Sequence, residues 1–87
     1  MPSYKIEWKK STKKDLRKIP VDQVSKIILA VEKLVFDPYP EGFTKLSGSE
    51  LSYRIRIGDY RVVYEVLEKR IVIEIMKVKY RKNVYRH

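Results

Sequence analysis

The sequence has no cysteine, and its one histidine is His87. Without cysteine the chain can form neither a disulfide framework nor a thiolate metal site. A lone histidine offers no histidine cluster either, so we expect neither a metal nor a cofactor. No uninterrupted apolar run approaches the roughly 18 residues of a transmembrane helix, and the first residues lack a signal-peptide layout. These absences predict a cytoplasmic protein that does not enter a membrane.

Acidic residues are also scarce relative to basic ones. The 87 residues include 20 Lys and Arg against 11 Asp and Glu, which gives a net charge of +9. This charge favours a polyanionic partner, whether nucleic acid, a membrane surface or an acidic protein. The length is that of a small unit with a modest core, so we expect a single domain over residues 1–87.

The most regular pattern is a β-hairpin over residues 51–66. Gly58-Asp59 is a two-residue turn signal between two alternating runs. The expected cross-strand pairs are Ile57 with Tyr60, Ile55 with Val62, Tyr53 with Tyr64, and Leu51 with Val66. Alternation puts these side chains on one face and Arg54, Arg56 and Arg61 on the other, which we call the arginine face. Arg56 then lies opposite Arg61, and because like charges across strands destabilise a sheet, the pair indicates an anionic partner.

Two helices are predicted before the hairpin, after a first strand at residues 3–8. Ser11 or Thr12 is the expected cap of the first helix, since a hydroxyl there accepts a bond from an early helical N–H. Pro20 can open the second helix, which ends before Pro38. Its apolar positions have helical spacing and are Val24, Ile27, Ile28, Val31, Leu34 and Val35.

A last strand is predicted at residues 71–78. Ile71, Ile73 and Ile75 are expected to face the helices, and Val72, Glu74 and Met76 to join the arginine face. The order β-α-α-β-β-β predicts an α+β fold, a small antiparallel sheet with a helical hairpin packed on one face. The other face stays partly open.

Residues 77–87 have no acid, and their basic residues alternate with aromatic and apolar ones. This mixture suits nucleic acid, because phosphates take the charge and bases stack on rings.

Several motifs in a fixed order link the chain to a known superfamily. They are Lys45-Leu46-Ser47-Gly48, residues 53–57, residues 58–64 and an Arg-x-x-x-Tyr ending from Arg81 to Tyr85. With the predicted element order, they make the chain resemble the RelE/ParE toxin superfamily, specifically its RelE-type messenger-RNA interferases. The resemblance covers nearly the whole chain and implies a RelE-like fold.

The resemblance implies a toxin of a type II toxin–antitoxin system that cleaves messenger RNA in the ribosomal A site. The 2′-hydroxyl attacks the adjacent phosphate and leaves a cyclic phosphate. By position, Arg61 and Arg81 match arginines that hold the scissile phosphate, and Tyr85 matches a tyrosine that stacks on a base or assists proton transfer. Arg54 and Arg56 stand where the family usually has lysines. The remaining candidates for RNA binding are Lys45, Lys79, Lys82 and Arg86.

The residues that move protons are left open by the sequence. Cleavage needs a base for the 2′-hydroxyl and an acid for the leaving oxygen, and arginine is a poor base because it stays protonated. The candidates are Tyr85, Lys79, Lys82, Glu74 and His87.

Two other functions fit the same resemblance. One is a ParE-like gyrase poison, and the other is a RelE-like module that has lost catalysis and binds only an antitoxin or nucleic acid. The implied partners are an acidic RelB-like antitoxin, the ribosome and messenger RNA. The free toxin is expected to be a monomer that forms hetero-oligomers with its antitoxin.

Overall fold

A computed structural model describes residues 3–48 and 51–80 of the chain. Its elements are β1 (Lys5–Trp8), α1 (Lys10–Arg17), α2 (Val21–Lys33), β2 (Thr44–Lys45), β3 (Ser52–Ile57), β4 (Tyr60–Leu67) and β5 (Val72–Tyr80). The sheet order is β1-β5-β4-β3-β2. The α+β fold with two helices on a small sheet is confirmed. Two details differ from the prediction: β2 is an additional short strand, and β1 pairs with β5 in parallel, which makes the sheet mixed rather than wholly antiparallel.

The central hairpin has the predicted register. Tyr53 pairs with Tyr64, and Arg56 lies directly opposite Arg61. Gly58 has a φ of +59°, which glycine adopts without a steric penalty. The local turn signal therefore set the pairing of β3 with β4.

The core lies between the helices and one face of the sheet. From α2 and the turn that follows it, Ile27, Val31 and Leu34 are buried with strand residues such as Val62 and Tyr64. Ile28, which was expected to face the core, is 38% exposed. The buried stripe of α2 is thus narrower than the apolar pattern predicted.

The first helix begins differently from the prediction. Lys9 is its N-cap residue, and no side chain caps the helix. Thr12 lies inside the first turn, where it is buried and its hydroxyl donates to the Lys9 carbonyl. The expected cap by Ser11 or Thr12 is therefore wrong.

Helix α1 covers the part of β5 that β1 leaves unpaired. Strand β1 reaches only as far as Ile75 along β5. Beyond that point, the Val78 N–H donates to the Asp15 carboxylate at 3.1 Å. Exposed backbone groups along a sheet edge invite pairing with other chains. Asp15 accepts a hydrogen bond from one of these groups, the Val78 N–H.

Strand β5 contains a bulge that the sequence analysis did not predict. Val63 pairs with Lys77, but the next residue, Tyr64, pairs with Ile75, so Met76 is an extra residue in β5. Ile73 and Ile75 are buried on the helix side as predicted. After the bulge the alternation changes phase, and Val78 becomes the buried residue.

Ile71 was predicted to face the helices, and this is wrong. It lies in the turn between β4 and β5, is 45% exposed and has a φ of +55°. Its N–H donates to the Glu68 carbonyl at 3.2 Å, which closes the turn. The turn, rather than the apolar character of the side chain, decides where this residue lies.

We expect Ile71→Gly to raise the free energy of unfolding by about 1 kcal/mol, because a β-branched residue at positive φ is strained and glycine is not. Urea unfolding of both proteins measures the change. Ile71→Val is the control, since it keeps the β-branch and should give no gain. A lower stability for the glycine variant would contradict the strain.

Two tyrosines attach the loop after α2 to the sheet. The Tyr64 hydroxyl donates to the Pro38 carbonyl at 2.7 Å, and the Tyr39 hydroxyl donates to Glu68 at 2.6 Å. Burial raises the pKa of both phenols well above the usual value, with the Glu68 hydrogen bond adding to the effect at Tyr39. Both therefore act as neutral donors.

Candidate nucleic-acid interface

The sheet face turned away from the helices carries basic side chains in two rows. Residues paired directly across strands project to the same face. The first row runs across β3, β4 and β5 through Arg54, Val63 and Lys77. The second row runs across the same strands through Arg56, Arg61 and Lys79. We call the five basic residues of these rows the cation face. It extends the predicted arginine face onto β5.

The central residue of the cation face is also the most buried. Arg61 is 5% exposed, whereas Arg56 is exposed and Arg54 is half-buried. Arg56 Nε donates to the Gly58 carbonyl at 3.2 Å, which directs this side chain towards the hairpin turn. Because Arg61 lies between strands that are paired on both sides, its backbone position is fixed.

Lys79 lies at the outer end of its row, next to helix α1. Its Nζ is 3.4 Å from Asp15 Oδ1, and the lysine side chain is 45% exposed. Asp15 thus contacts both the backbone and a side chain of β5. The ion pair therefore leaves nearly half of the lysine side chain exposed.

A row of three glutamates borders the basic rows. Glu65 pairs with Glu74, and Glu74 pairs with Glu7 across the parallel strand pair. Glu65 and Glu74 share the face of Arg61, because β4 and the first half of β5 alternate regularly. The charge of this face therefore changes along the strands, from positive near the Gly58 turn to negative at the glutamates.

The structure does not place every predicted residue on this face. Lys45 pairs with Tyr53 and therefore projects to the helix side of β2, away from the arginines. The predicted residues Arg81, Lys82, Tyr85 and Arg86, as well as His87, lie outside the described residues. The described part of the candidate site thus consists of Arg54, Arg56, Arg61 and Lys79, together with Lys77.

Lys77 is the residue that the sequence analysis missed. The sequence does carry a signal for it, since Ile73 and Ile75 are spaced by two but Ile75 and Val78 by three. A change of spacing within an apolar strand pattern indicates a bulge. The bulge moves Lys77 away from the core side and onto the cation face.

A pocket of about 370 Å³ lies on the helix side of the sheet, between α1 and the ends of β4 and β5. Lys79 is its one wall residue from the cation face, and Asp15 also belongs to the wall. Its wall includes Lys18 and Lys79, with Tyr60 and Tyr80 beside them. The two rings meet edge to face, with centroids 5.5 Å apart. Aromatic rings beside lysines provide stacking and charge together, which is the combination that single-stranded nucleic acid uses.

The side chains of this face suit phosphate binding. Guanidinium groups hold phosphate oxygens in a bidentate geometry, and fixed positive charge stabilises the negative charge that develops during phosphoryl transfer. Among residues 3–48 and 51–80, no cluster of acidic or histidine side chains is suited to hold a metal ion. In the same part of the chain, neither helix has the length and apolar character to cross a bilayer.

Comparison with known proteins agrees with this geometry. Residues 6–85 match the family model described as "ParE toxin of type II toxin-antitoxin system, parDE". The chain belongs to this toxin family, within the RelE/ParE superfamily. A curated relative, "Putative toxin RelE1" of Methanocaldococcus jannaschii, is 33% identical over 87 residues and is covered to 97%, as is this chain.

Solved structures give the same result. The archaeal RelE-RelB complex from Pyrococcus horikoshii OT3 matches with a TM-score of 0.81 and 33% identity, covering 91% of this chain and 96% of that one. The RelB-RelE complex from Methanococcus jannaschii matches with a TM-score of 0.75 and 28% identity, over 91% and 94% of the two chains. The isolated E. coli RelE toxin, at 22% identity and a TM-score of 0.79 over 90% and 84%, shares the fold.

Proposed function

We propose that this toxin is a ribosome-dependent endoribonuclease that inhibits translation in the cytoplasm by cutting messenger RNA in the A site. The observation that carries the proposal is the cation face, where Arg61 is held between Arg56 and Lys79. The RelE names of the archaeal relatives support the same activity.

In this proposal the 2′-oxygen of one nucleotide attacks the adjacent phosphorus. The bond to the 5′-oxygen of the next nucleotide breaks, and a cyclic phosphate and a free 5′-hydroxyl result. Arg61 and Arg81 stabilise the charge on the phosphate oxygens, with Arg54 and Arg56 beside them. Tyr85 stacks on a base or assists proton transfer, and Lys79, Lys82 and Arg86 bind the RNA, whereas Lys45, on the other face of the sheet, takes no part.

Primer extension on a defined message in a translating extract tests the proposal. We expect cuts with ribosomes present and weak or no cutting of the same message as naked RNA. Arg54 and Arg56 stand where the family usually has lysines, and arginine is a poor base because it stays protonated. Cuts that persist without ribosomes would contradict the dependence on ribosomes. If the folded protein makes no cuts in the extract, the nuclease proposal is wrong.

A gyrase poison is the second candidate, because the matching family model is named after ParE. A ParE-like toxin would block DNA supercoiling by gyrase and leave messenger RNA intact. A supercoiling assay on the same protein preparation separates the two. Inhibition of gyrase without cuts in the extract would favour this candidate.

We also propose that the partner is an acidic RelB-like antitoxin that covers the cation face. The two archaeal RelE structures that resemble this chain were solved with RelB. The net charge of +9 fits an acidic partner, and charge complementarity of this kind speeds association.

We expect the Kd for the cognate antitoxin to rise at least about tenfold between ~0.1 M and ~1 M salt, because the Debye length falls from about 10 Å to about 3 Å. Isothermal titration calorimetry at both salt concentrations measures this. A nonionic solute at matched osmolarity is the control. An unchanged Kd would exclude a mainly electrostatic interface.

A further inference from the structure

The bulge at Met76 decides which side chains of β5 reach the cation face. Ile75 and Val78 are both buried on the helix side, although three positions separate them. Without an extra residue, regular alternation would place Lys77 opposite Val62, among the core side chains. Burying a lysine there without a partner is costly, so the buried positions of Ile75 and Val78 fix the bulge.

The bulge therefore adds two lysines to the cation face. Lys77 takes the place opposite Val63, in the row that begins with Arg54, and it is exposed. Lys79 takes the place opposite Arg61. Neighbouring strands lie about 4.8 Å apart, so each basic row extends roughly 10 Å across three strands.

The charges on this face follow one pattern across the strands and another along them. Across the strands, from Arg56 to Lys79, every charged side chain in the row is basic. Along β4 and β5, the basic rows give way to Glu65 and Glu74. A phosphate chain lying along the strands would meet these carboxylates, whereas one lying across the strands avoids them.

We propose that Lys77 is a phosphate-binding residue and that the RNA backbone crosses the strands over the two basic rows, with Glu65 and Glu74 as the boundary of its path. The inference rests on the proposed function, because that function makes RNA the ligand of this face. In this proposal Lys77 binds a phosphate of the RNA. Glu65 and Glu74 repel an RNA backbone that runs along the strands.

Binding of a short, labelled single-stranded RNA to the full chain, followed by fluorescence anisotropy over a salt series, tests the proposal. We expect Lys77→Gln to weaken binding about threefold to tenfold and to reduce the slope of log K against log salt by about 0.7, the value for one lost phosphate contact. Lys69→Gln removes the same charge from the exposed β4–β5 turn and should leave the slope unchanged. Equal slopes for the two variants would overturn the assignment of Lys77.

The boundary is tested by removing a carboxylate. We expect Glu74→Gln to strengthen RNA binding about twofold to fivefold, because a repulsion beside the path is lost. Glu32→Gln, at an exposed position of α2 on the other side of the sheet, removes the same charge and should change binding less. An equal gain in RNA affinity for both variants would mean that only net charge matters. The glutamates would then not be the boundary of the RNA path.

Cleavage in the translating extract is the separate measurement for the nuclease itself. If the wild type cuts nothing there, while Lys77→Gln and Glu74→Gln shift RNA binding as expected, the nuclease proposal fails and the RNA path stands. If the wild type cuts and Lys77→Gln binds RNA as Lys69→Gln does, the nuclease stands and the path fails.

Discussion

Replacing Arg61 with alanine is expected to slow ribosome-dependent cleavage by about 10²–10³-fold, the usual cost of losing one preorganised donor to a developing oxyanion. Arg61 is paired on both sides within the sheet and is only 5% exposed, so its position is fixed before RNA binds. The cut fraction over time in primer extension measures the rate. Growth arrest on expression should weaken in parallel.

The controls for Arg61 separate chemistry from folding. Arg61→Lys keeps the charge but loses the bidentate geometry, so we expect an intermediate rate. Arg70→Ala removes an arginine from the exposed β4–β5 turn and should cut like the wild type. Because Arg61 is buried, a melting curve must accompany each variant. A folded Arg61→Ala protein that cuts at the wild-type rate would remove Arg61 from the site.

Ile73→Ala is expected to lower the free energy of unfolding by about 2–5 kcal/mol, because it leaves a cavity in the core. Ile73 is fully buried on β5, between Val66 of β4 and Ile6 of β1. A small protein has a total stability of about 5–15 kcal/mol, so this one change takes a large part of it. Urea denaturation followed by circular dichroism measures the loss.

Ile71→Ala is the matched control for Ile73→Ala. It removes the same atoms two positions earlier in the sequence, but Ile71 is 45% exposed in the turn. We expect no loss of stability, because the removed atoms are largely exposed and the loss of the β-branch relieves part of the strain at positive φ. Similar losses at both positions would contradict the division of these isoleucines between the turn and the core.

The parts of the fold that depend on neighbouring residues could be predicted from the sequence. The Gly58-Asp59 turn fixed the register of the hairpin, and with it the position of Arg56 opposite Arg61. The buried positions Ile27, Val31 and Leu34 followed from helical spacing. A turn or a helical period involves only a few adjacent residues, so it can be recognised in a single sequence.

The candidate site was predicted in part. Arg54, Arg56 and Arg61 share one face as expected, because side chains alternate along a strand whatever the partner strand is. Lys45 projects to the other face, because the short strand β2 pairs it with Tyr53. Its side could not be known without that pairing, which joins residues brought together only by the loop between them.

The sequence by itself determined the two helices, the hairpin with its opposed arginines, and the basic charge that favours a polyanion. Only the tertiary structure decided the parallel pairing of β1 with β5, the turn conformation of Ile71 and the bulge at Met76. The bulge exists because Ile75 and Val78 must both reach a core built by distant elements. The same long-range packing places Lys77 beside the arginines and aligns Glu7 with Glu74, since pairing between distant strands leaves little trace in local periodicity.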